Sequence, residues 1–456
     1  MERADEGPLE TRLNIGSDTG GSQMTGKSNG REDVSPPLFV DAFAGCGGLS
    51  LGLKRAGWKG LFAIEKDSCA FDTLSTNFPK GDGVLSYDWP ANIERQAWDV
   101  NDLLKDRREA LVCLAGKVDL LAGGPPCQGF SNAGRRRQDD PRNTLFEAYL
   151  ELVEILQPRL VLVENVRGFT VDFRSAQTGA TQNFSQALQQ GLRSKYDISC
   201  AVIRAFDYGV PQARPRFFLV GALKKRNQTA AIDAFFDDLG AQVKEFLLER
   251  SLPRSPTAKD AISDLEVGRN GTMQCQDTKG FRAIAYKSPR TRYQLAMRDG
   301  YEGTPSDTRL ARHRPEIRDR FAKIIRSSQE EGRLGMTISS QARSTFKLKK
   351  QALRVLDPLA HAPTITSLPD DLIHYDEPRT LTVRENARLQ SFPDWFAFKG
   401  RYTTGGHRRR QEVPRFTQVA NAVPPLLAEQ IGLVLLQIAN CSLNGHNPHE
   451  SLRRRQ

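Results

Sequence analysis

Little in this chain suits stapling or metal binding. Its 456 residues include seven cysteines and six histidines. The cysteines (Cys46, Cys69, Cys113, Cys127, Cys200, Cys275 and Cys441) are odd in number, scattered, and nowhere form a C-x-x-C pair. That spacing argues against a disulfide framework or a zinc module, so no metal is expected, and it fits a reducing compartment. There a cysteine either fills space or reacts, and its setting decides which. No apolar run approaches the ~20 residues of a membrane span, so no membrane partner is expected. The acidic, polar start lacks the pattern of a secretory signal and the arginines of a transit peptide. The expectation is an intracellular protein, cytoplasmic and nucleoid-associated in a bacterium or nuclear in a eukaryote. No internal repeat is visible.

What the chain does have is the composition of a globular protein, 39% hydrophobic and 26% charged, long enough for two or three structural units. Lys and Arg outnumber Asp and Glu by 65 to 54, a net charge of +11. A basic surface suits a polyanion, because each phosphate neutralised releases counterions. The charge gathers in Arg135-Arg136-Arg137, Lys224-Lys225-Arg226, residues 282–350, Arg408-Arg409-Arg410 and Arg453-Arg454-Arg455.

Residues 1–35 have no apolar periodicity and read as a disordered tail. Short apolar runs at 38–43, 61–65, 118–122, 160–164, 198–205 and 216–220 predict strands. Helical spacing at 49–56, 68–77, 145–156 and 184–194 places helices among them. This alternation predicts an α/β, doubly wound sheet, in which ligands sit beyond the carboxyl ends of the strands. Asp41, Glu65, the 124–127 turn and Glu164 all fall there. Residues 222–377 lose the alternation and read as a smaller, irregular, basic domain. Order is expected again over 378–440, where Thr382 and Glu385 form a capping box and Pro424 opens a last helix. A basic tail over 441–456 follows.

Four motifs carry chemistry. In Asp41-Ala42-Phe43-Ala44-Gly45-Cys46-Gly47-Gly48 a strand breaks on glycines before a helix, which lets backbone approach a ligand; a plain tight turn is the alternative. In Gly123-Gly124-Pro125-Pro126-Cys127-Gln128-Gly129-Phe130-Ser131, prolines and glycines fix the backbone around one thiol. A structural cysteine needs no such loop, whereas a nucleophile that meets its target at a fixed angle does. Glu164-Asn165-Val166 brings a carboxylate out of an apolar strand, suited to protonating a ring nitrogen away from water. Gln212-Ala213-Arg214-Pro215-Arg216 offers two guanidiniums on one side of an extended segment, for a developing charge or a base oxygen.

In this order the segments resemble the cytosine-5 DNA methyltransferase family, over residues 38–220 and again over 379–432. Arg379-Thr-Leu-Thr-Val-Arg384-Glu385-Asn-Ala-Arg388-Leu-Gln-Ser-Phe-Pro and Gln418-Val-Ala-Asn421-Ala-Val-Pro-Pro complete the likeness. The resemblance implies a Rossmann-like domain over 36–221 and 378–440 that uses S-adenosyl-L-methionine, with a target recognition domain over 222–377. It implies cofactor contacts from Phe43, Gly45, Gly48, Leu49, Glu65, Asp99, Pro125, Asn421 and Val423. Cys127, Glu164, Arg214 and Arg216 match the catalytic set, with Arg384-Glu385 as scaffold. Two positions depart from the family pattern. Trp98 precedes Asp99 where glycine is more common, and Ala420 stands where glycine usually precedes Asn421. The implied partner is double-stranded DNA with one cytosine flipped out of the stack, bound by a monomer. A cognate restriction endonuclease would be a functional companion, not a physical partner. A tRNA-methylating enzyme of the same architecture and a non-catalytic DNA-binding relative are the rival readings.

Overall fold

The computed structural model describes residues 35–81, 83–126, 145–174, 181–226, 228–403 and 412–444. Cys127, the Arg135–137 cluster, Arg408–410 and residues 1–34 and 445–456 of the expected tails lie outside the described residues, whereas 441–444, expected in the basic tail, continue the last helix.

Strands β1 (Leu38–Ala42), β2 (Lys59–Ile64), β3 (Leu120–Gly123) and β4 (Leu160–Val166) lie parallel in the order β2-β1-β3-β4. Between them run α1 (Gly48–Arg55), α2 (Ser68–Asn77), α3 (Val100–Asp106), α4 (Arg108–Val112) and α5 (Leu145–Leu156). A two-residue ladder, β5 (Phe173–Arg174) with β6 (Thr181–Gln182), precedes α6 (Phe184–Arg193). The sheet closes with β7 (Tyr196–Arg204), β8 (Gln212–Ala213) lying outside it, and β9 (Pro215–Leu223). β9 inserts antiparallel between β4 and β7, giving six strands in the order β2-β1-β3-β4-β9-β7.

Both faces are buried, as a mainly parallel sheet requires. The pleat sends Phe39, Leu120, Leu162 and Phe218 into one core, and Val40, Leu121, Val161 and Phe217 into the other. The doubly wound α/β expectation is therefore met. The order reverses between β1 and β3, and ligands of such sheets bind beyond the strand ends at that switch point.

Residues 222–377 are less irregular than expected. They hold α7 (Thr229–Asp233), α8 (Phe235–Glu249), α9 (Ala258–Ile262), α10 (Val267–Asn270), α11 (Arg292–Arg298), α12 (Pro315–Glu330) and α13 (Ser340–Thr345). Their strands are short: β10 (Thr272–Gln274) pairs with β11 (Arg282–Ile284), and β12 (Arg354–Val355) with β14 (Leu372–Ile373). β13 (Ala362–Pro363) pairs with β8. Phe321, Ile324, Ile325, Ile338, Leu353, Val355 and Ile373 make a small core of their own. Ile262, Tyr293 and Met297 instead join the main core.

The last part packs back onto the sheet through α14 (Val383–Leu389), α15 (Arg415–Asn421) and α16 (Pro425–Asn444). Thr382 and Glu385 form the expected capping box on α14. Arg384 and Arg388 are fully buried and meet Asp307, and Asp264 with Asp394, respectively. Buried arginines need such partners, and here they tie the 222–377 segment to the body built on the sheet. The stretch Arg415–Cys441 is long and apolar enough to cross a membrane, contrary to expectation. Burial accounts for its composition: 83% of its most apolar window is inside the fold, where Leu427, Ile431 and Leu435 pack in the main core.

Candidate active site

The carboxyl end of β1 turns through Phe43 (φ 61°) and Gly45 (φ 56°) into α1. A left-handed Phe43 is a costly conformation for a bulky side chain and marks a constrained turn. The Gly45 N–H donates to Glu65 Oε2 at 2.8 Å, and the Asp67 N–H to Oε1 at 2.7 Å. Glu65 is thus aimed by backbone at the rim, and burial pushes its pKa up despite those two bonds. The Trp98 N–H donates to the Glu65 carbonyl at 2.8 Å, which brings Asp99 beside it. Asp99 caps α3 and meets Lys66 Nζ at 2.7 Å. Burial would raise the Asp99 pKa, but Lys66 and Asn101 outweigh it and hold the carboxyl low.

Beneath this turn Asp41 is buried, bonded by Ser50 Oγ, which also meets the Tyr87 hydroxyl at 2.6 Å. Desolvation lifts the Asp41 pKa to about 7 and drops that of buried Lys54 to about 7. Asp41, placed at the rim by sequence reasoning, therefore supports the turn from inside the fold.

The C-terminal segment closes on the same turn. A Cβ added to Gly48 would lie 2.4 Å from the Val423 carbonyl oxygen and 3.2 Å from the Ala422 Cβ. Glycine is required by that backbone approach. Leu49 and Val423 are buried there, whereas Asn421 at the end of α15 is exposed. Phe43, Gly45, Gly48, Leu49, Glu65, Asp99, Asn421 and Val423 are thereby gathered around the end of β1.

The second half of the site lies at β3 and β4. Asn165 Nδ2 donates to the Pro125 carbonyl at 2.9 Å, anchoring the run that leads to Cys127. Glu164 sits inside β4, which continues through Val166 and pairs Glu164 with Phe218 and Val166 with Arg216 on β9. That register puts Glu164 and Arg216 on one face as diagonal neighbours, with Arg216 Nε 2.9 Å from Glu164 Oε1. Glu164 Oε2 would be 3.2 Å from a Cβ on Gly124, so the backbone at Gly124 passes directly over the carboxylate. Burial raises the Glu164 pKa against the pull of Arg216 and Arg214.

The two arginines have different surroundings. Arg216, near-buried, keeps Nη1 on the Pro215 carbonyl at 2.8 Å and faces Glu164. Arg214 is fully buried, and its Nη2 donates to the carbonyls of Ala420 at 2.6 Å and Ala422 at 3.0 Å. It links the start of β9 to the segment that carries Asn421 and Val423. Gln390 adds to that link through Nε2 to the Val419 carbonyl at 2.8 Å. It also accepts from Gln212, whose Oε1 takes the Ile365 N–H. Sequence reasoning missed this brace, for which a buried glutamine on a polar-looking helix gives little signal.

The C-5 cytosine-specific DNA methylase family matches residues 38–437. The chain belongs to that family. It is 32% identical to the type II methyltransferase M.DdeI of Desulfomicrobium norvegicum, over 86% of this chain and 87% of that protein. It is 30% identical to the type II methyltransferase M.XorII of Xanthomonas oryzae pv. oryzae, over 88% and 84%. Among solved structures it is similar to a prophage-encoded E. coli protein assigned as a DNA modification methyltransferase. That likeness has a TM-score of 0.59 and 26% identity, and covers 89% of this chain and 99% of the other. Family membership implies a methyl donor of the S-adenosylmethionine type and DNA as substrate. Among the described residues no group of three or more His, Cys, Asp or Glu is placed to hold a metal ion.

Proposed function

We propose that the chain methylates carbon 5 of a flipped cytosine within a specific duplex sequence, through a covalent adduct between Cys127 and carbon 6. The observation that carries this reading is the buried Glu164–Arg216 pair lying under the Gly124–Pro125 backbone that leads to Cys127.

The β1 turn suits S-adenosyl-L-methionine. A Cβ at Gly45 would meet nothing within 4 Å, so the turn leaves open space beside carboxylates that can only accept. Glu65 and Asp99 suit the ribose hydroxyls and the adenine amino group, which donate. Phe43, Gly48, Leu49, Pro125, Asn421 and Val423 would complete the pocket, and Arg214 braces it. When bound, the cofactor supplies the methyl group that carbon 5 takes.

Carbon 5 of cytosine is too weak a nucleophile unaided. The Cys127 thiolate adds to carbon 6, and Glu164 protonates or hydrogen-bonds N3, so electron density accumulates at carbon 5. Arg216 holds O2 and keeps Glu164 in place. After transfer the carbon 5 proton leaves and the carbon–sulfur bond breaks, restoring the thiolate. The base must leave the stack to meet the thiol, at a cost of a few kcal/mol. The 222–377 segment serves as the target recognition region, and the type II names of the relatives favour a restriction-modification setting.

The test is incubation with methyl-labelled cofactor and either duplex DNA or total tRNA, followed by mapping of 5-methylcytosine. Label at one recurring DNA motif is expected. Label only in tRNA would overturn the substrate, and cofactor binding without label in either would favour a non-catalytic relative. Gly48→Ala tests the pocket, because its methyl group must displace the Val423 carbonyl. Calorimetric affinity for the cofactor is expected to fall roughly tenfold, in line with the cost of overpacking a tight contact. Unchanged affinity would detach this turn from the pocket.

A further inference from the structure

Residues from the 222–377 segment and from the approach to α15 meet in a stack that the methyl-transfer chemistry does not use. The Arg312 guanidinium lies 3.9 Å from the centroid of the Phe281 ring. Arg309 lies 4.3 Å from the same ring and 3.7 Å from that of Tyr402. Arg415 lies 4.2 Å from the other side of the ladder at Tyr402. The order is cation, ring, cation, ring, cation.

The three arginines differ in what their N–H groups do. Arg415 Nη1 meets Asp277 at 2.7 Å and Asp307 at 2.8 Å, and its Nε donates to the Gly400 carbonyl at 2.9 Å. Asp277 is further engaged by the Tyr402 hydroxyl, Cys275 and Thr278. Arg309 and Arg312 have no hydrogen-bond acceptor among the described residues. Burial holds the Arg309 pKa below its ordinary value, and Asp277, near enough to favour the charge, offsets this only in part because its oxygens are already in use.

Ordering an arginine side chain costs conformational entropy, so a stacked guanidinium without acceptors is preorganised toward something else. The Phe281 and Tyr402 rings both pack against the Arg309 guanidinium, which leaves its N–H donors as the groups still to be satisfied, and those donors want acceptors lying in their plane. Phosphate oxygens and the edge of guanine both fit. A side chain held between two rings cannot extend into a groove, whereas a backbone phosphate stands on the outside of a duplex.

We propose that Arg309, with exposed Arg312 beside it, is a preformed clamp for a backbone phosphate of the substrate duplex; this rests on the DNA reading above. The clamp sets affinity and register, not the choice of target sequence. Through Tyr402 it adjoins Arg415, the first residue of α15, whose last residue is Asn421.

The experiment compares the full-length chain with Arg309→Gln and Arg312→Gln, binding a target-bearing duplex and a scrambled one across a salt series. Each variant is expected to weaken both duplexes by the same factor, roughly tenfold. The slope of log affinity against log salt should flatten by about 0.9. Arg312 is exposed, so its variant keeps the test alive if Arg309→Gln disturbs folding. A loss confined to the target-bearing duplex would replace the phosphate by a base edge and overturn the clamp. Unchanged binding would overturn it as well. Failure of the wild-type chain to bind either duplex would overturn the DNA reading itself, and the clamp with it.

Discussion

Replacing Cys127 by alanine is expected to abolish methyl transfer, by on the order of 10⁴-fold or more, while leaving DNA and cofactor binding intact. The size follows from the chemistry. Without a nucleophile at carbon 6, carbon 5 never gains the electron density that attack requires, and positioning alone does not replace that step. Five of the other six cysteines are disfavoured as thiolates. Cys46, nearest in the fold to the β1 turn, is buried, its thiol directed at the Gln418 carbonyl and its pKa pushed up to about 12 by desolvation. Burial also raises the pKa of Cys69, Cys200, Cys275 and Cys441, which disfavours their thiolates. Single-turnover transfer with labelled cofactor measures the loss, and cofactor and duplex affinities show that the protein is otherwise whole. A duplex carrying 5-fluorocytosine gives a sharper readout, because fluorine cannot leave as a proton and the adduct persists. The wild-type chain should form a complex that survives denaturation, and Cys127→Ala should form none. Substantial turnover in the alanine variant would remove Cys127 from the nucleophile role.

The sheet was legible because its strands, the half-exposed edge strand β7 apart, are apolar and buried on both faces, a pattern that survives without knowledge of the partners. Leu160–Val166 is the clearest, and only its last two residues escaped, since Asn165 and Val166 are kept in the strand by β9. α3, α4 and α15 were not read, being five to seven residues long and lacking a full amphipathic period. α12 was lost in a basic stretch because its polar face dominates its composition; only Phe321, Ile324, Ile325 and Ser328 are buried. In the site, strand ends pointed to Glu65 and Glu164 and the family resemblance added Arg214 and Arg216, but spacing alone could not separate the two arginines. Arg214 reaches carbonyls supplied by Ala420 and Ala422, and such long-range hydrogen bonds leave no periodic trace. The Phe281–Arg309–Tyr402 stack is equally silent in sequence, since its members come from separate segments.

Glu164→Gln is expected to lower kcat by roughly 10²- to 10³-fold and to change the shape of the pH profile, the signature that separates acid catalysis from simple positioning. Desolvation raises the Glu164 pKa, while Arg216 and then Arg214 pull it back without cancelling the shift. A carboxyl raised in this way holds its proton to higher pH than in the unfolded chain. Its contribution to stability is complete below the ordinary glutamate pKa and is lost as pH climbs through the folded value. In the proposed reaction the same protonated form serves N3 of the base, so activity that depends on it is expected also to fall as pH rises through that value. Cys127 has the opposite requirement, since only its thiolate attacks, and the rate should climb with pH on the acid side. The wild-type profile is therefore expected to be bell-shaped, with Glu164 setting the alkaline limb. Glutamine keeps an acceptor for Arg216 and fills the same space, which spares the fold the cost of an abandoned buried cation. It has no proton to lose, so the variant should keep the rising limb and lose the falling one. If instead kcat drops while the alkaline limb persists unchanged, Glu164 holds the base or Arg216 in place and the proton at N3 comes from elsewhere.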